Sequence, residues 1–303
     1  MNSEKVRSKM KIAITGAGGF LGTELLRQLA RRKDVTVYAF TFDFERQRDT
    51  YISSDNIITL DNSEAEKFDF SDTDVLINCA FPRNVSDETF AKGLDFLQSV
   101  IEKAVSDNVG AVINISSQSV YSQLRKEPAD EFSPIILESK YAVGKYWSEL
   151  FVNSMCRNIR HTNLRMASLI GVGFNQRIVN RFAIKVKNGE QITITGGDQI
   201  FGFLDVRDAA AGIIAAAMSD RSWDEAYDLG TNESYTLKEM AEKAIEIGKN
   251  YGFTKSGLTV CEGGEWQNSA LICDKFLEHF NWKSELSICD TICDIFNYLK
   301  ECD

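Results

Sequence analysis

The sequence predicts an α/β protein built on a doubly wound parallel sheet, and three features support this prediction. Over roughly the first 165 residues, short apolar runs alternate with longer amphipathic ones, which is typical of strands connected by helices. A glycine-rich turn joins the first of these strands to the first helix. Polar residues follow a later strand, at the sheet edge where ligands of such folds bind.

The elements are predicted from the apolar runs and their periodicity. Strands are expected at residues 11–15, 36–41, 57–60, 75–79, 111–116 and 161–165, and helices at 23–32, 89–107 and 139–158. Farther on we expect a helix at 178–188, a strand at 192–195, a strand and helix at 203–218 and a helix at 237–247. Residues 1–167, with 203–220 returning to them, are therefore expected to form a Rossmann-type domain. Residues 168–202 and 221–303 are expected to form a smaller mixed α/β substrate-binding lobe.

The turn after the first strand carries glycines at positions 16, 19 and 22. A strand that stops at glycines and restarts as a helix directs the first N–H groups of that helix at a phosphate. Gly16 allows a tight turn, Gly19 lets the backbone approach a pyrophosphate, and Gly22 lets the helix pack closely on the strand. Because glycine-rich turns are common, a plain strand-to-helix turn is the alternative.

Composition and charge exclude several classes of function. The formal net charge of −10 argues against nucleic-acid or anionic-membrane partners, because phosphate binding needs clustered Lys and Arg. No apolar run approaches the ~20 residues of a membrane helix, and the polar start of the chain predicts no signal peptide. The seven cysteines lack metal-ligand spacing, so no metal site is expected. We therefore expect a cytoplasmic protein.

A second motif lies on the helix predicted at 139–158. Tyr141 and Lys145 are four residues apart, which places the phenol and the ammonium on one helix face. A phenol with a pKa of about 10 is a poor base at neutral pH, but a nearby Lys⁺ favours the phenolate. Upstream, the strand at 111–116 runs into the sequence Ser-Ser-Gln-Ser-Val-Tyr, which ends at Tyr121. The alternative is a solvated Tyr/Lys pair.

These separated motifs resemble those of the extended short-chain dehydrogenase/reductases, the superfamily of nucleotide-sugar epimerases, dehydratases and reductases. The glycines at 16, 19 and 22, the Ser-Ser-x-x-Val-Tyr run and Tyr141-x-x-x-Lys145 occur in the superfamily's order. Two later segments, 204–208 and 230–247, also resemble elements of that family. The resemblance covers nearly the whole chain, and it implies hydride transfer between a nicotinamide and a secondary carbinol carbon.

The resemblance also implies a role for each matching residue. Ser117 would hydrogen-bond the reacting oxygen, Tyr141 would move the proton, and Lys145 would lower the Tyr141 pKa and hold the nicotinamide ribose. Asp61 matches an adenine-contacting Asp, although a strand-ending turn residue is an equally good interpretation. The full set of residues expected at the cofactor is Gly16, Gly19, Phe20, Leu21, Gly22, Thr41, Asp61, Asn62, Cys79, Ala80, Phe81, Tyr141 and Lys145.

Departures from the family pattern narrow the chemistry. Dehydratases follow the catalytic hydroxyl residue with Asp-Glu, whereas this chain has Gln118 and Ser119, so dehydration is disfavoured. The extra Cys and His of enzymes that also epimerise neighbouring carbons are replaced by Ser119 and Phe174. Two kinds of enzyme remain: a 4-epimerase that keeps its cofactor, or a reductase that releases it.

The substrate segments depart from the family as well. The family's Asn-x-Tyr-Gly-Pro begins with Ser168 here, and Phe201 replaces the Arg that usually holds the nucleotide diphosphate. Losing that charge-assisted pair costs roughly 1.5–3 kcal/mol of binding free energy. Arg177 and Arg181 could substitute, unless they form a solvated helix face. The residues expected at the substrate are Ser117, Ser119, Ser168, Arg177, Arg181 and Phe201.

Cofactor choice, function class and assembly complete the expectations. The cofactor is NAD or NADP: Thr41 with Arg46 and Arg48 suits NADP, which we favour slightly, and Asp43 suits NAD. The alternatives to a sugar-nucleotide enzyme are an NADPH-dependent carbonyl reductase with a non-nucleotide substrate and a non-catalytic dinucleotide-binding sensor or scaffold.

In the resembling family the helices matching 89–107 and 139–158 form a four-helix dimer interface, so we expect a homodimer.

Overall fold

The structure, a computed structural model, describes residues 9–42, 54–83 and 85–301. Its strands are Met10–Thr15 (β1), Val35–Thr41 (β2), Ile57–Asp61 (β3), Val75–Asn78 (β4), Ala111–Ser117 (β5), Arg160–Met166 (β6), Ser168–Ile170 (β7), Ile192–Thr195 (β8), Ile200–Asp205 (β9), Ala226–Leu229 (β10), Ser234–Thr236 (β11) and Leu258–Cys261 (β12). Its α-helices are Phe20–Leu29 (α1), Asp87–Ser106 (α2), Lys140–Met155 (α3), Ile178–Lys187 (α4), Val206–Ala217 (α5), Leu237–Asn250 (α6), Asp274–Phe280 (α7) and Ile288–Glu301 (α8).

The central sheet confirms the predicted fold class. Its strand order is β10-β6-β5-β4-β1-β2-β3, so the order reverses at β1, which pairs in parallel with both β2 and β4. Ligands of such sheets bind outside the carboxyl ends of the strands at this reversal. At the reversal, Thr15 of β1 is in register with Asn78 of β4. At the same edge of the sheet, Thr41 at the end of β2 is in register with Asp61 of β3.

Helix α1 begins at Phe20, three residues earlier than predicted. Gly22 directly precedes the helix predicted at 23–32, and glycine is unfavourable in a helix interior. The structure places it in the first turn instead, with Gly19 as the N-cap residue. The packing explains this choice, because a Cβ on Gly22 would lie 2.3 Å from the Gly16 carbonyl oxygen. Close packing here outweighs the conformational cost of glycine.

Contacts divide the chain into two compact units. The first unit comprises the described residues within Met1–Ser116, Gly144–Leu164 and Ala217–Ala226, and the second comprises those within Ser117–Val143, Arg165–Ala216 and Tyr227–Asp303. In the first unit, helix α2 packs on the sheet through Leu97, Val100 and Ile101, each at most 1 % exposed. The predicted division into a Rossmann-type domain and a substrate-binding lobe assigns a ligand to each part of the chain. That division stays a prediction.

The second unit holds two smaller sheets and its own apolar core. One sheet has the order β11-β9-β7, with β11 antiparallel and β7 parallel to β9, and the other pairs β12 with β8 in parallel. Buried residues of α4, α6 and α8 form the core with these strands, among them Phe182, Ala244 and Phe296. Over the described residues, no helix is both long enough and apolar enough to cross a membrane.

Candidate active site

The glycine turn has the geometry that its sequence predicts. Gly16 has a φ of +67°, a left-handed conformation that favours glycine. A Cβ on Gly16 would also lie 2.6 Å from the backbone nitrogen of Ala80, which follows β4. The ends of β1 and β4 therefore approach so closely that only glycine fits at position 16.

The N-terminus of α1 has the properties of an anion site. Gly19, the N-cap, has no side chain to accept hydrogen bonds from the first helical turn, and that turn carries no acidic residue. The positive end of the helix dipole thus meets no negative side chain from its own turn. In the first turn Phe20 is partly buried and Leu21 is buried, so both help to fix the helix against the unit.

At the far end of the sheet, Asp61 and Asn62 differ in their hydrogen bonding. Asp61 caps a short 3-10 helix, accepting hydrogen bonds from the Ser63 N–H and hydroxyl, which lower the pKa of its carboxyl. Both hydrogen bonds end on the same carboxylate oxygen, so the role of Asp61 as a strand-ending turn residue accounts for that oxygen. Asn62 is 1 % exposed, and its side-chain oxygen has no hydrogen-bond partner among the described residues. Such a buried acceptor is costly unless a ligand or water donates to it.

A row of buried polar side chains crosses the middle of the sheet. The Thr15 hydroxyl donates to the side-chain oxygen of Asn78 (2.7 Å), and the Asn78 amide donates to Asn114 (2.9 Å). The Asn114 amide donates in turn to Asn163 (2.9 Å) and to the Ser148 hydroxyl (3.1 Å). These side chains link β1, β4, β5 and β6 to helix α3. They could not be recognised from the sequence, because isolated asparagines form no motif.

Lys145 is docked on β5 in the first unit. It is 4 % exposed, its ammonium donates to the Ile115 carbonyl (2.6 Å), and it lies 3.9 Å from the centre of the Phe81 ring. Burial lowers the Lys145 pKa to about 7, because the charged form loses its water. Phe81 follows Cys79 and Ala80, so the segment after β4 supplies one wall of the lysine's surroundings.

Ser117 and Ser119 lie in the second unit, where β5 ends. The Ser117 hydroxyl oxygen accepts hydrogen bonds from the Ser119 N–H (3.2 Å) and hydroxyl (2.9 Å). Gln118, which stands at the first dehydratase position, is 8 % exposed and exchanges amide hydrogen bonds with Gln123. No carboxylate thus occupies position 118 or 119.

A buried network fixes the segment that follows Ser117. The Tyr121 hydroxyl donates to the Asp228 carboxylate (2.9 Å) and accepts from Arg165 (2.9 Å). Burial, reinforced by Asp228, raises the pKa of Tyr121 well above its ordinary value, so Tyr121 is neutral. Tyr121 belongs to a recognisable sequence motif, but its partners Arg165 and Asp228 lie far away in sequence.

Tyr141 and Lys145 both lie in helix α3, one turn apart, as predicted. Tyr141 is partly buried. Its hydroxyl would need a neighbouring positive charge to act as a base, and Lys145 is the cation that the helix spacing brings to the same face. Their roles stay predictions.

The residues expected at the substrate occupy separate places in the second unit. Ser168 begins β7 and is in register with Phe203 of β9, and Phe201 stacks on Phe203 with ring centroids 6.0 Å apart. Arg177 is the N-cap of α4, with its guanidinium 5.0 Å from the centre of the Phe174 ring. Arg181 lies one turn farther along and is exposed.

The pattern of these residues matches a known family. The model of the family described as "NAD dependent epimerase/dehydratase family" matches residues 12–230, which is most of the chain. The chain belongs to this family. It is therefore an enzyme of the extended short-chain dehydrogenase/reductase type, as the sequence motifs imply.

Individual relatives of this family member are distant. The low-salt glycan biosynthesis protein Agl12 of Haloferax volcanii is 22% identical over 78% of this chain and 82% of its own. A dTDP-glucose 4,6-dehydratase of Streptomyces niveus is 23% identical over 78% of this chain and 77% of its own. A UDP-glucuronic acid 4-epimerase from Bacillus cereus, solved with UDP-glucuronic acid and NAD, has a TM-score of 0.82 at 20% identity, covering 97% of this chain and 100% of that one. The structural likeness supports the fold.

These comparisons bear on two expectations. The lean towards NADP has no support in them, because the family is described as NAD dependent. Asp43, Arg46 and Arg48, on which the choice depended, lie outside the described residues. Because one relative is a dehydratase, the comparisons do not exclude dehydration. That Gln118 and Ser119 disfavour it stays a prediction.

Proposed function

We propose that this family member moves a hydride between NAD and a secondary alcohol or ketone of a sugar nucleotide. The observation that carries the proposal is the placement of Tyr141 and Lys145 one turn apart on α3, with Lys145 docked on the β5 residue two before Ser117. Bound NAD supplies the hydride acceptor. The protein supplies position and proton transfer.

In the proposed reaction, Ser117 and Tyr141 act on the carbinol oxygen, and Lys145 acts on Tyr141. Ser117 donates a hydrogen bond to that oxygen, and the Tyr141 phenolate takes its proton as the carbinol C–H bond breaks to give the ketone. The Lys145 ammonium stabilises the phenolate and holds the nicotinamide ribose. Return of the hydride and the proton to the other face of the ketone would give the epimer without net oxidation. Release of the ketone together with the reduced cofactor would instead make the enzyme a dehydrogenase, and the reverse reaction, which consumes reduced cofactor, would make it a reductase.

The turn at Gly16 and the uncapped start of α1 fit the diphosphate of NAD, since both expose backbone to an anion. Asn62 fits the adenine end, where the adenine amino group would donate to its unsatisfied side-chain oxygen. Replacing Asn62 by Leu should therefore weaken NAD binding without lowering the free energy of unfolding, because an unsatisfied acceptor is removed. Calorimetric titration with NAD and with NADP tests the site and the choice of cofactor together.

For the substrate, we propose a nucleoside diphosphate sugar held by Arg177 or Arg181 in place of the missing family arginine. A diphosphate needs cationic or N–H partners, and the Phe201 side chain can supply neither. Titration of UDP, GDP and dTDP against the wild type and the Arg177→Ala and Arg181→Ala variants tests this proposal. Tight binding that neither substitution weakens would rule out both arginines.

The second candidate function is a carbonyl reductase with a non-nucleotide substrate, which Phe201 favours. Its ring stacks on Phe203 and packs against the apolar core, so this part of the second unit offers aromatic surface rather than charge. Absent or millimolar binding of every nucleotide would favour this candidate. Mass spectrometry of small molecules released from the purified protein separates epimerase from reductase, because an epimerase retains NAD.

A further inference from the structure

A second buried ionisable residue, Glu149, follows Lys145 by one turn of α3. Glu149 is 2 % exposed and, at four residues' spacing, lies on the same helix face as Lys145. Its carboxylate accepts a hydrogen bond from the Ser116 hydroxyl. Ser116 directly follows Ile115, whose carbonyl binds Lys145. Two opposite charges on α3 are thus fixed to consecutive residues of β5.

A third bond holds the same helix and strand together. The Ser148 hydroxyl accepts from the Asn114 amide (3.1 Å) and donates to the Lys145 carbonyl (2.7 Å). Residues 114–116 of β5 therefore bind residues 145–149 of α3 through three successive polar contacts. The position of Glu149 relative to Lys145 is fixed by the strand as well as by the helix.

The other groups around Lys145 provide little compensating charge. The Phe81 ring is neutral, and the Arg83 cation opposes protonation of the lysine. The Cys79 thiol is also neutral when Lys145 titrates, because burial raises the pKa of Cys79 to about 12. Tyr141, one turn earlier on α3, is the group that Lys145 is proposed to influence. Glu149 is the nearby anion among the charged groups that act on Lys145.

We propose that Glu149 is a positioning residue that keeps Lys145 protonated and docked on β5. A buried ammonium has lost its water, and a nearby opposite charge favours its protonated form. The inference rests on the proposed function in one respect: the protonated lysine matters because it stabilises the Tyr141 phenolate. Glu149 itself need not touch cofactor or substrate.

Nuclear magnetic resonance can follow the charge of Lys145 directly. The protein is labelled with lysine carrying ¹³C at Cε, and the Lys145 signal is assigned by its absence from a Lys145→Met variant. In the wild type this signal should titrate near pH 7, whereas exposed lysines titrate near the reference pKa of about 10.4. In Glu149→Gln, which keeps the side-chain shape, the midpoint should fall by about one pH unit or more.

Two further variants make the test specific. Glu24 is another buried glutamate of the first unit, bonded to Gln28 within α1, so Glu24→Gln should leave the Lys145 midpoint unchanged. Glu149→Asp keeps the negative charge on a side chain that is one methylene shorter. The Lys145 midpoint in this variant should therefore lie between those in wild type and in Glu149→Gln. It also supplies the test if Glu149→Gln does not fold.

An unchanged Lys145 midpoint in Glu149→Gln, or in Glu149→Asp where the first variant is unfolded, would overturn the inference. An equal fall in Glu24→Gln would overturn it too, since any lost buried carboxylate would then suffice. NAD titration of the same samples separates this inference from the proposed function. A wild type that binds no NAD while the midpoint shifts as expected contradicts the function and supports the Glu149–Lys145 coupling.

Discussion

At the scale of single residues, the proposed chemistry depends on a phenol and an ammonium that share one helix. Their placement on one face was predictable from sequence, because residues four positions apart in a helix lie on the same face. The burial of Lys145 was not predictable, since it depends on Ile115 and Phe81, which lie on other elements. Burial makes the charge of Lys145 sensitive to pH near neutrality.

Tyr141→Phe should abolish proton transfer while preserving the fold. The change removes the hydroxyl and keeps the ring volume, so NAD affinity and thermal stability should stay close to wild type. Turnover should fall by about 10²–10⁴-fold, the usual scale for a lost general acid or base. Tyr146→Phe, five residues later on the same helix, is the matched control and should retain activity. Near-normal turnover by Tyr141→Phe would disprove the assigned role.

Lys145→Met should change the pH dependence of stability in a defined direction. Burial holds the folded-state pKa of Lys145 near 7, below its unfolded value of about 10.4. Protonation therefore costs folding free energy at low pH, and that cost declines as the pH rises from 7 towards the unfolded pKa. Relative to wild type, Lys145→Met should be more stable at pH 6 than at pH 9 in urea unfolding.

The control for this measurement is Lys92→Met, because the Lys92 side chain is 72% exposed. Its stability difference from wild type should be nearly independent of pH over the same range. A Lys145→Met difference that is equally flat would show that Lys145 titrates as an ordinary exposed lysine does.

At the scale of elements, the strands and helices of the sheet were predicted from apolar periodicity, with boundaries a few residues off. The start of α1 was predicted three residues too late, because glycine is unfavourable inside a helix by local rules. The close packing expected at Gly22 is explained by the short distance that a Cβ there would have to the Gly16 carbonyl oxygen. The polar row through Asn78, Asn114 and Asn163 was missed for a related reason. Its members lie on three strands, and only the sheet brings them together.

Gly22→Ala should lower the melting temperature markedly, because its Cβ would meet the Gly16 carbonyl oxygen at 2.3 Å and the Ala17 Cα at 2.7 Å. Such overpacking costs typically about 1–3 kcal/mol of folding free energy. Gly18→Ala in the same turn is the control, since Gly18 is exposed and lacks a positive φ. Equal melting temperatures for the two variants, measured by calorimetry, would show that the first turn of α1 is not packed this tightly.

At the scale of the whole molecule, the predicted homodimer depends on the apolar surface of α2 and α3. Part of that surface is buried within the first unit, where Leu97 and Ile101 are each 1 % exposed and Trp147 stacks on Phe151 with centroids 5.3 Å apart. Leu150, on α3, is 53% exposed. An apolar residue that its own unit does not cover is consistent with the expected homodimer.

Light scattering should therefore give twice the chain mass of 34.0 kDa at micromolar concentration. Leu150→Glu should shift the protein towards the monomer, because a charge would be buried at the interface. Leu124→Glu, at a position 62% exposed in the second unit, should leave the dimer intact. A wild type of 34.0 kDa would rule the dimer out.

The most direct test of the central claim is turnover of sugar nucleotides by the wild type in the presence of NAD. UDP-, GDP- and dTDP-hexoses are incubated with the protein, and the products are identified by mass spectrometry and nuclear magnetic resonance. The proposal predicts a 4-epimer or a 4-keto sugar formed without loss of water, with activity greatly reduced in Tyr141→Phe. A product that has lost water would contradict the argument from Gln118 and Ser119. No turnover of any sugar nucleotide, by a protein shown to bind NAD, would contradict the proposed substrate class.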